Sequence, residues 1–285
     1  MSLAEYAARE GLHKVGGRPP IGAYLVDVWR RRAFIYSLAR YRIEAENGRN
    51  RLGMAWVVLK PLISAAVYGT IFGILIGPRG RPDQFILFLV IGVFLFEYFS
   101  SCFTSGAKSI TSNANLVQSL SFPRMSLPLA LVTQRLLQFV PMVVIMIILV
   151  LAFGNQPLWD WLLLIPLIVL FTVFNAGLTL ITARLTVHFR DLTQLLPFVS
   201  RFFFYTSGIF FSVERRFGEN ETIMKIADGQ PIHEFLDLAR SIMLTGPDYV
   251  METQYWAYGA AWSFAALIIG SVYFWAAEER YGRTD

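Results

Sequence analysis

QFILFLVIGVFLFEYFSSCFT, residues 84–104, carries a single charged side chain, Glu97, among twenty-one positions. A bilayer's hydrocarbon core of about 30 Å takes roughly 20 helical residues at 1.5 Å each. Backbone groups in lipid must be satisfied internally, and the run lacks the alternation of a barrel strand. A transmembrane helix is the form that remains. Outward from it, Trp56–Gly77, Met125–Phe153, Leu158–Leu185, Leu192–Val213 and Gln254–Ala277 read the same way. With Gln84–Thr104 they predict an all-α integral membrane protein with six transmembrane helices. Residues 1–52 read as a lead and an interface helix, and residues 53–285 as a single six-helix transmembrane domain.

The chain is 55% hydrophobic and 16% charged, with a formal net charge of +5. The placement of that charge argues against a nucleic-acid footprint. With both termini cytoplasmic, seventeen Lys and Arg fall on the cytoplasmic side and six on the other, with Arg135 and Arg201 inside spans. That asymmetry follows the positive-inside rule of a multi-pass plasma-membrane protein. Residues 1–51 hold no apolar run of a cleavable signal, so the first span is expected to stay. The one cysteine, Cys102, excludes an intramolecular disulfide and falls within the second span.

From Ile21 to Glu46, Leu25, Val28, Trp29, Ile35, Tyr36, Ala39 and Ile43 lie on one arc at helical spacing. Asp27, Arg30, Ser37 and Glu44 lie opposite. This predicts an amphipathic helix at the lipid interface, with a helix packed on a soluble partner as the alternative. Lys60-Pro61 predicts a bend or cap at the start of span one. Between spans five and six, Thr222–Ala227 and Ile232–Leu244 are too short to cross and predict re-entrant or interfacial outer helices.

Glu97, Arg135 and Arg201 lie within spans, where charge is costly and faces protein or water. Counted from the helix ends, Glu97 and Arg135 sit roughly 10–15 Å deep. Glu97 is expected to pair with Arg135 or Arg201, as a bundle-fixing ion pair or a polar gate. Phe99 and Phe103 in span two, and Phe198, Phe202 and Tyr205 in span five, belong to dense aromatic groups. Such rings could line a conduit for glycans, whose C–H faces stack on aromatics, or serve packing and lipid contact. The chain has no Gly-Lys pair and so no phosphate-cradling loop for ATP. His13, His188 and His233 are isolated, and no residue is assigned to catalysis or metal binding.

The order of several short motifs carries a family resemblance. It runs from the amphipathic helix through Asn50-Arg51-Leu52-Gly53-Met54-Ala55-Trp56 and Lys60-Pro61 to Asn113-Ala114-Asn115-Leu116-Val117. Phe122-Pro123-Arg124 and Phe189-Arg190-Asp191 follow. Nearly the whole chain resembles the membrane subunit of a polysaccharide-exporting ABC transporter, the Wzm/TarG class. One departure is Gln230-Pro231, where members often carry Asn-Pro, although Arg240 downstream matches.

The resemblance implies a homodimer with two copies of a separate ABC ATPase. ATP and Mg would be bound by that partner, with no cofactor on this chain. The substrate would be a lipid-linked polysaccharide of O-antigen, teichoic acid or galactan type. It also points to Lys108–Leu120 as a coupling helix, with Asn113, Leu116, Phe122, Pro123 and Arg124 facing the ATPase. Arg190 and Asp191 would contact the ATPase, or act as a headgroup anchor and a helix cap. An ABC permease for drugs or lipids is the nearest alternative, followed by a membrane-embedded glycosyltransferase. An ion-coupled carrier would be expected to show an internal repeat, and none is visible.

Overall fold

The computed structural model describes residues 19–48, 51–76, 82–119 and 122–278, and every regular element among them is helical. The predicted lead over residues 1–18, the turn at 77–81 and the basic residues Arg280 and Arg283 lie outside that set.

The chain begins with two helices, α1 (Ile21–Arg30) and α2 (Arg32–Asn47), where the sequence predicted one. Arg31 separates them at φ −91° and ψ 16°. The bend changes which face is covered. Tyr24, Val28 and Ala39 are buried, whereas Leu25, Trp29 and Tyr36 of the expected apolar arc point outward. Tyr24 and Val28 pack with Ile110, Leu127 and Phe274, and this contact sets the direction of α1.

Among the described residues, five helices are long and apolar enough to cross a membrane. They belong to α3 (Ala55–Ile76), α4 (Phe85–Ala107), α6 (Ser126–Ala152), α7 (Leu164–His188, preceded by a 3-10 turn at Trp159–Leu163) and α12 (Thr253–Trp275). Pro61 lies inside α3, so that helix starts before the Lys60-Pro61 pair and not at it. The segment expected to be a coupling helix is a 3-10 turn, Thr111–Asn113, followed by the short α5 (Ala114–Ser119).

The predicted span Leu192–Val213 differs most. Its helix, α8, covers Leu192–Thr206, 15 residues, or roughly 22 Å at the helical rise. Gly208 then takes the left-handed φ of 70° and the chain turns. Ser207–Ser212 continues as irregular backbone, with Ile209 and Phe210 fully covered by protein. The chain continues as α9 (Val213–Phe217), α10 (Glu221–Asp228) and α11 (Pro231–Met243). The last two correspond to the segments Thr222–Ala227 and Ile232–Leu244 that were expected to be helical. Asn220 caps α10 through the N–H groups of Thr222 and Ile223, and Pro231 opens α11 where its missing N–H costs nothing.

α4 is the central rod and touches α3, α6, α7, α8 and α11. The closest helix pair is α7 with α12. A Cβ added at Gly177 would lie 2.2 Å from the Ala266 carbonyl carbon, and one at Gly270 would lie 2.4 Å from the Gly177 oxygen. Gly259, Ser263, Ala266 and Gly270 form a buried stripe on α12, the small-residue contact that lets membrane helices approach. The Ser263 hydroxyl donates to the Leu170 carbonyl at 2.8 Å. Both described ends of the chain meet at one end of the bundle, where the Trp275 indole N–H donates to the Pro19 carbonyl at 2.9 Å.

Candidate functional site

At the end of the bundle where the two described ends of the chain meet, the segment expected to couple to the ATPase is held by residues far away in sequence. The Glu278 carboxylate accepts from the Tyr24 hydroxyl at 2.7 Å and from the Arg124 backbone N–H at 3.0 Å. Arg124 Nη1 donates to the Glu278 carbonyl at 2.6 Å, and the Met125 N–H donates to the Tyr24 oxygen at 3.1 Å. This clasp joins α1, the approach to α6 and the exit from α12. Burial lifts the Glu278 carboxyl above its ordinary value, against the opposing pull of the Arg124 N–H and the Tyr24 hydroxyl.

Phe122 is half-buried with its ring 5.6 Å from that of Phe34, and Pro123 is buried. Leu116 is half-covered, and Val117 beside it is the buried anchor. The Asn113 amide donates back to the Ser109 carbonyl at 2.8 Å. Arg190 and Asp191 are exposed on the turn between α7 and α8. Asp191 makes no side-chain cap, contrary to that expectation; its carbonyl accepts the Gln194 N–H at 2.9 Å.

The aromatic residues divide into two sets. Phe198 and Phe202, each 65% exposed, and Tyr205, 52% exposed, share one open face of α8 with Leu195 and Arg201. Phe99 and Phe103 are 1% and 8% exposed and stack with centroids 5.5 Å apart, while Phe203 meets Phe99 edge-on. These two rings pack the interior between α4 and α8, and within a single chain they face no conduit.

The expected Glu97–Arg135 pair does not form. Arg135 Nη2 lies 3.2 Å from Glu46 on α2. Gln138 joins them, accepting from Arg135 at 2.8 Å and donating to Glu46 at 3.1 Å. Counting from the helix ends could not anticipate that α2 climbs along α6 and brings its own carboxylate. Glu97 opens into a cavity of about 350 Å³ whose wall also includes Glu46, Lys60, Arg135 and Gln138. Among the described residues, neither Glu97 nor Lys60 has an ion pair within 4.0 Å, and Arg201 has none.

At the opposite end, α11 is locked by a buried cation. Arg240 is 1% exposed, with its guanidinium 3.4 Å from the centroid of Phe88. Its Nη2 donates to the Ile209 carbonyl at 3.5 Å, and the Gln230 amide donates to the Ser207 hydroxyl at 3.0 Å. Arg240 thereby offers a donor to the Ile209 carbonyl in the irregular stretch after α8, and Gln230 ties that stretch through the Ser207 side chain. Burial lowers Arg240 to about 10, against the opposing charge of Asp237. Beside it, Arg215 Nε donates to Asp248 at 2.8 Å, and the Tyr249 hydroxyl donates to the Asp83 carbonyl. Sequence reasoning missed Tyr24, Glu278 and Glu46. Each reads as ordinary interface or tail polarity until its distant partner is known.

The profile of the ABC-2 type transporter family matches residues 35–244. The chain is 27% identical to the Myxococcus xanthus "O-antigen export system permease protein RfbA" over 186 residues, 65% of this chain and 70% of that protein. Two Klebsiella pneumoniae proteins of the same name are 30% identical over 162 and 161 residues, 56% of this chain in each case. Those matches span 62% and 61% of the Klebsiella relatives, less than two thirds of their length.

Proposed function

The chain belongs to the ABC-2 type transporter family, and from that premise we propose that it is the membrane subunit of an ATP-driven exporter of lipid-linked polysaccharide. The observation that carries this reading is the likeness to relatives named as O-antigen export permeases, over a stretch of 161 to 186 residues. The cargo would be a glycan of O-antigen, teichoic acid or galactan type. The subunit works as a homodimer with two copies of a separate ATPase, which binds ATP and Mg.

In this reading α8 and the buried bend after it form a sixth crossing, and both termini lie in the cytoplasm of an inner-membrane protein. The contact of Pro19 with Trp275 supports that arrangement. α1 and α2 lie at the cytoplasmic interface, with Leu25, Trp29 and Tyr36 outward in the lipid. ATPase motion enters through the segment from Asn113 to Arg124 and through Arg190 and Asp191. The clasp at Glu278 passes it to α1, α6 and α12 as one body. Arg240 and α11 hold the outer end, and the exposed face of α8, with Phe198, Phe202 and Tyr205, lines the glycan path between two copies.

The test is reconstitution of the chain with its ATPase in proteoliposomes loaded with lipid-linked glycan. ATP-dependent appearance of glycan on the opposite leaflet is expected. ATP-driven movement of a drug or phospholipid without glycan would overturn the reading.

A further inference from the structure

A second cavity, of about 470 Å³, lies where α10, α11 and α12 meet, at the end of the bundle opposite the Pro19–Trp275 contact. Glu234 is buried in its wall, and neither carboxylate oxygen has a donor among the described residues. Burial, and after it the Asp228 charge, lifts Glu234 to about 7, as expected of an acid left without a counterion. Asp228 is the other carboxylate of the wall. Its Oδ1 accepts the Tyr255 hydroxyl at 2.7 Å, and a carboxylate has room for further donors. Two carboxylates with spare acceptor sites call for a cation that brings several N–H groups. Among the described residues no cluster of three His, Cys, Asp or Glu could hold a metal ion, which favours an ammonium. Tyr258 and Trp262 stand exposed on the same wall, and aromatic faces attract such a group. Lys225, at the rim, is in an exposed ion pair with Glu221 at 2.8 Å. Exposed pairs hold weakly, so Lys225 can turn to a phosphate.

What lies along α12 from this cavity identifies the rest of the ligand. Gly259, Ser263, Ala266 and Gly270 are buried, and the other face continues from Trp262 as Ala265, Ile268, Ile269 and Val272, all exposed. From Trp262 to Val272 is roughly 15 Å at the helical rise, half of a hydrocarbon core of about 30 Å. That is the reach of an acyl chain within one leaflet. Tyr and Trp concentrate at the level where headgroups meet hydrocarbon, which is where Tyr258 and Trp262 divide the charged cavity from the apolar strip. We propose that the cavity holds a membrane phospholipid whose headgroup carries a primary ammonium. The ammonium donates to Glu234 and Asp228, the phosphate meets Lys225, and one acyl chain lies along the strip on α12. A quaternary ammonium has no N–H to donate, and an anionic headgroup would face two carboxylates, so the site discriminates against both. The occupant is a resident lipid and not the cargo, so the inference holds whatever the transporter moves.

The experiment uses the full chain in phosphatidylcholine nanodiscs at pH 8, where Glu234 is ionised. The probes are phosphatidylethanolamine, phosphatidylcholine and phosphatidylglycerol, each with a photoactivatable diazirine on one acyl chain and added at equal mole fraction. Light should attach the ethanolamine probe within residues 262–272, read by peptide mass spectrometry. It should do so about tenfold or more above the other two, the scale of a charged hydrogen bond. Glu234→Gln should bring labelling by the ethanolamine probe down towards that by the choline probe, which itself should not change. A merely structural role for Glu234 would not produce a loss confined to one headgroup. Asp228→Asn, which keeps an acceptor for the Tyr255 hydroxyl, is the second variant and should show the same selective loss. Glu219→Gln, an exposed acid outside the cavity, should label as wild type. Equal labelling by all three probes overturns the proposal, because the strip then meets bulk lipid. Preference for the glycerol probe overturns it, since Lys225 alone would then decide the occupant. So does a strip that no probe reaches, which would mean that a second copy covers it. Wild-type labelling in both Glu234→Gln and Asp228→Asn also overturns it.

Discussion

Glu278 shows how much one side chain can hold when its partners come from two distant places in the sequence. Its carboxylate accepts from the Tyr24 hydroxyl and the Arg124 N–H, so Glu278→Ala strips both acceptors while the backbone carbonyl keeps its bond from Arg124 Nη1. Breaking a buried pair from one side costs roughly 3–5 kcal/mol, which should appear as a lower melting temperature in detergent. Tyr24→Phe, which removes one hydroxyl, should cost about 1 kcal/mol. Glu234 behaves oppositely. It is 0% exposed with both carboxylate oxygens unpartnered, and burial lifts it to about 7. The folded protein therefore keeps a proton that the unfolded chain releases above its ordinary value of 4.5. The stability this gives is complete below that value and is lost as pH rises through about 7. Glu234→Gln should raise the melting temperature at pH 8 and leave it unchanged at pH 4, by an amount on the order of 3 kcal/mol at most. Equal gains at both pH values would remove the ionisation account. Neither role was legible in the sequence, because a lone acid in a tail or an amphipathic helix reads as solvated. The exposed positions of Phe198, Phe202 and Tyr205 on one face were legible from their spacing. Those of Phe99 and Phe103 were not, since hydropathy does not separate an interior ring from a surface one.

Helices were readable where length and apolar content acted together, as in α4, α6 and α7. The reading failed at Leu192–Val213, where hydropathy stayed high through a bend. Protein burial of Ile209 and Phe210 looks the same in the sequence as lipid burial, so a 15-residue helix and the irregular stretch after it were counted as one rod. The single interface helix was misread for a related reason. Periodicity over Ile21–Glu46 assumes one axis, and the turn at Arg31 gives two. The α7–α12 contact depends on having no side chain at Gly177. Gly177→Leu would drive a side chain into the Ala266 backbone, which cannot move aside as a rotamer could. Loss of folded protein is expected, since overpacking costs of order 1–3 kcal/mol even where neighbours can yield. Gly154→Ala is the comparison, because open space surrounds that glycine although its φ of 90° adds backbone strain. If Gly177→Leu expressed and melted like wild type, the tight crossing would not be a determinant of the fold.

At the scale of the assembly, the open aromatic face of α8 must meet lipid or a second copy, and the two can be told apart chemically. Cys102 is fully buried, so a thiol introduced at Phe202 is the accessible one in an otherwise wild-type background. Buried thiols react slowly, and exposed ones oxidise or alkylate. If two α8 helices face each other across the glycan path, Phe202→Cys should give an oxidant-dependent dimer in native membranes. Ile148→Cys, exposed on α6, should not. A disulfide needs Cα atoms within about 7 Å, so a wide path would call for a longer bifunctional maleimide, with the same contrast between the two positions. The thiol at position 202 should also react with a water-soluble maleimide, because a glycan path is wet, whereas one buried in acyl chains should not. If the Arg124–Glu278 clasp couples α6 and α12 to the ATPase as proposed, adding ATP to the complete transporter should change the cross-linking yield at 202. Equal cross-linking at 148 and 202, or labelling of 202 by lipid-soluble reagents alone, would place this face against the bilayer and move the glycan path elsewhere on the dimer.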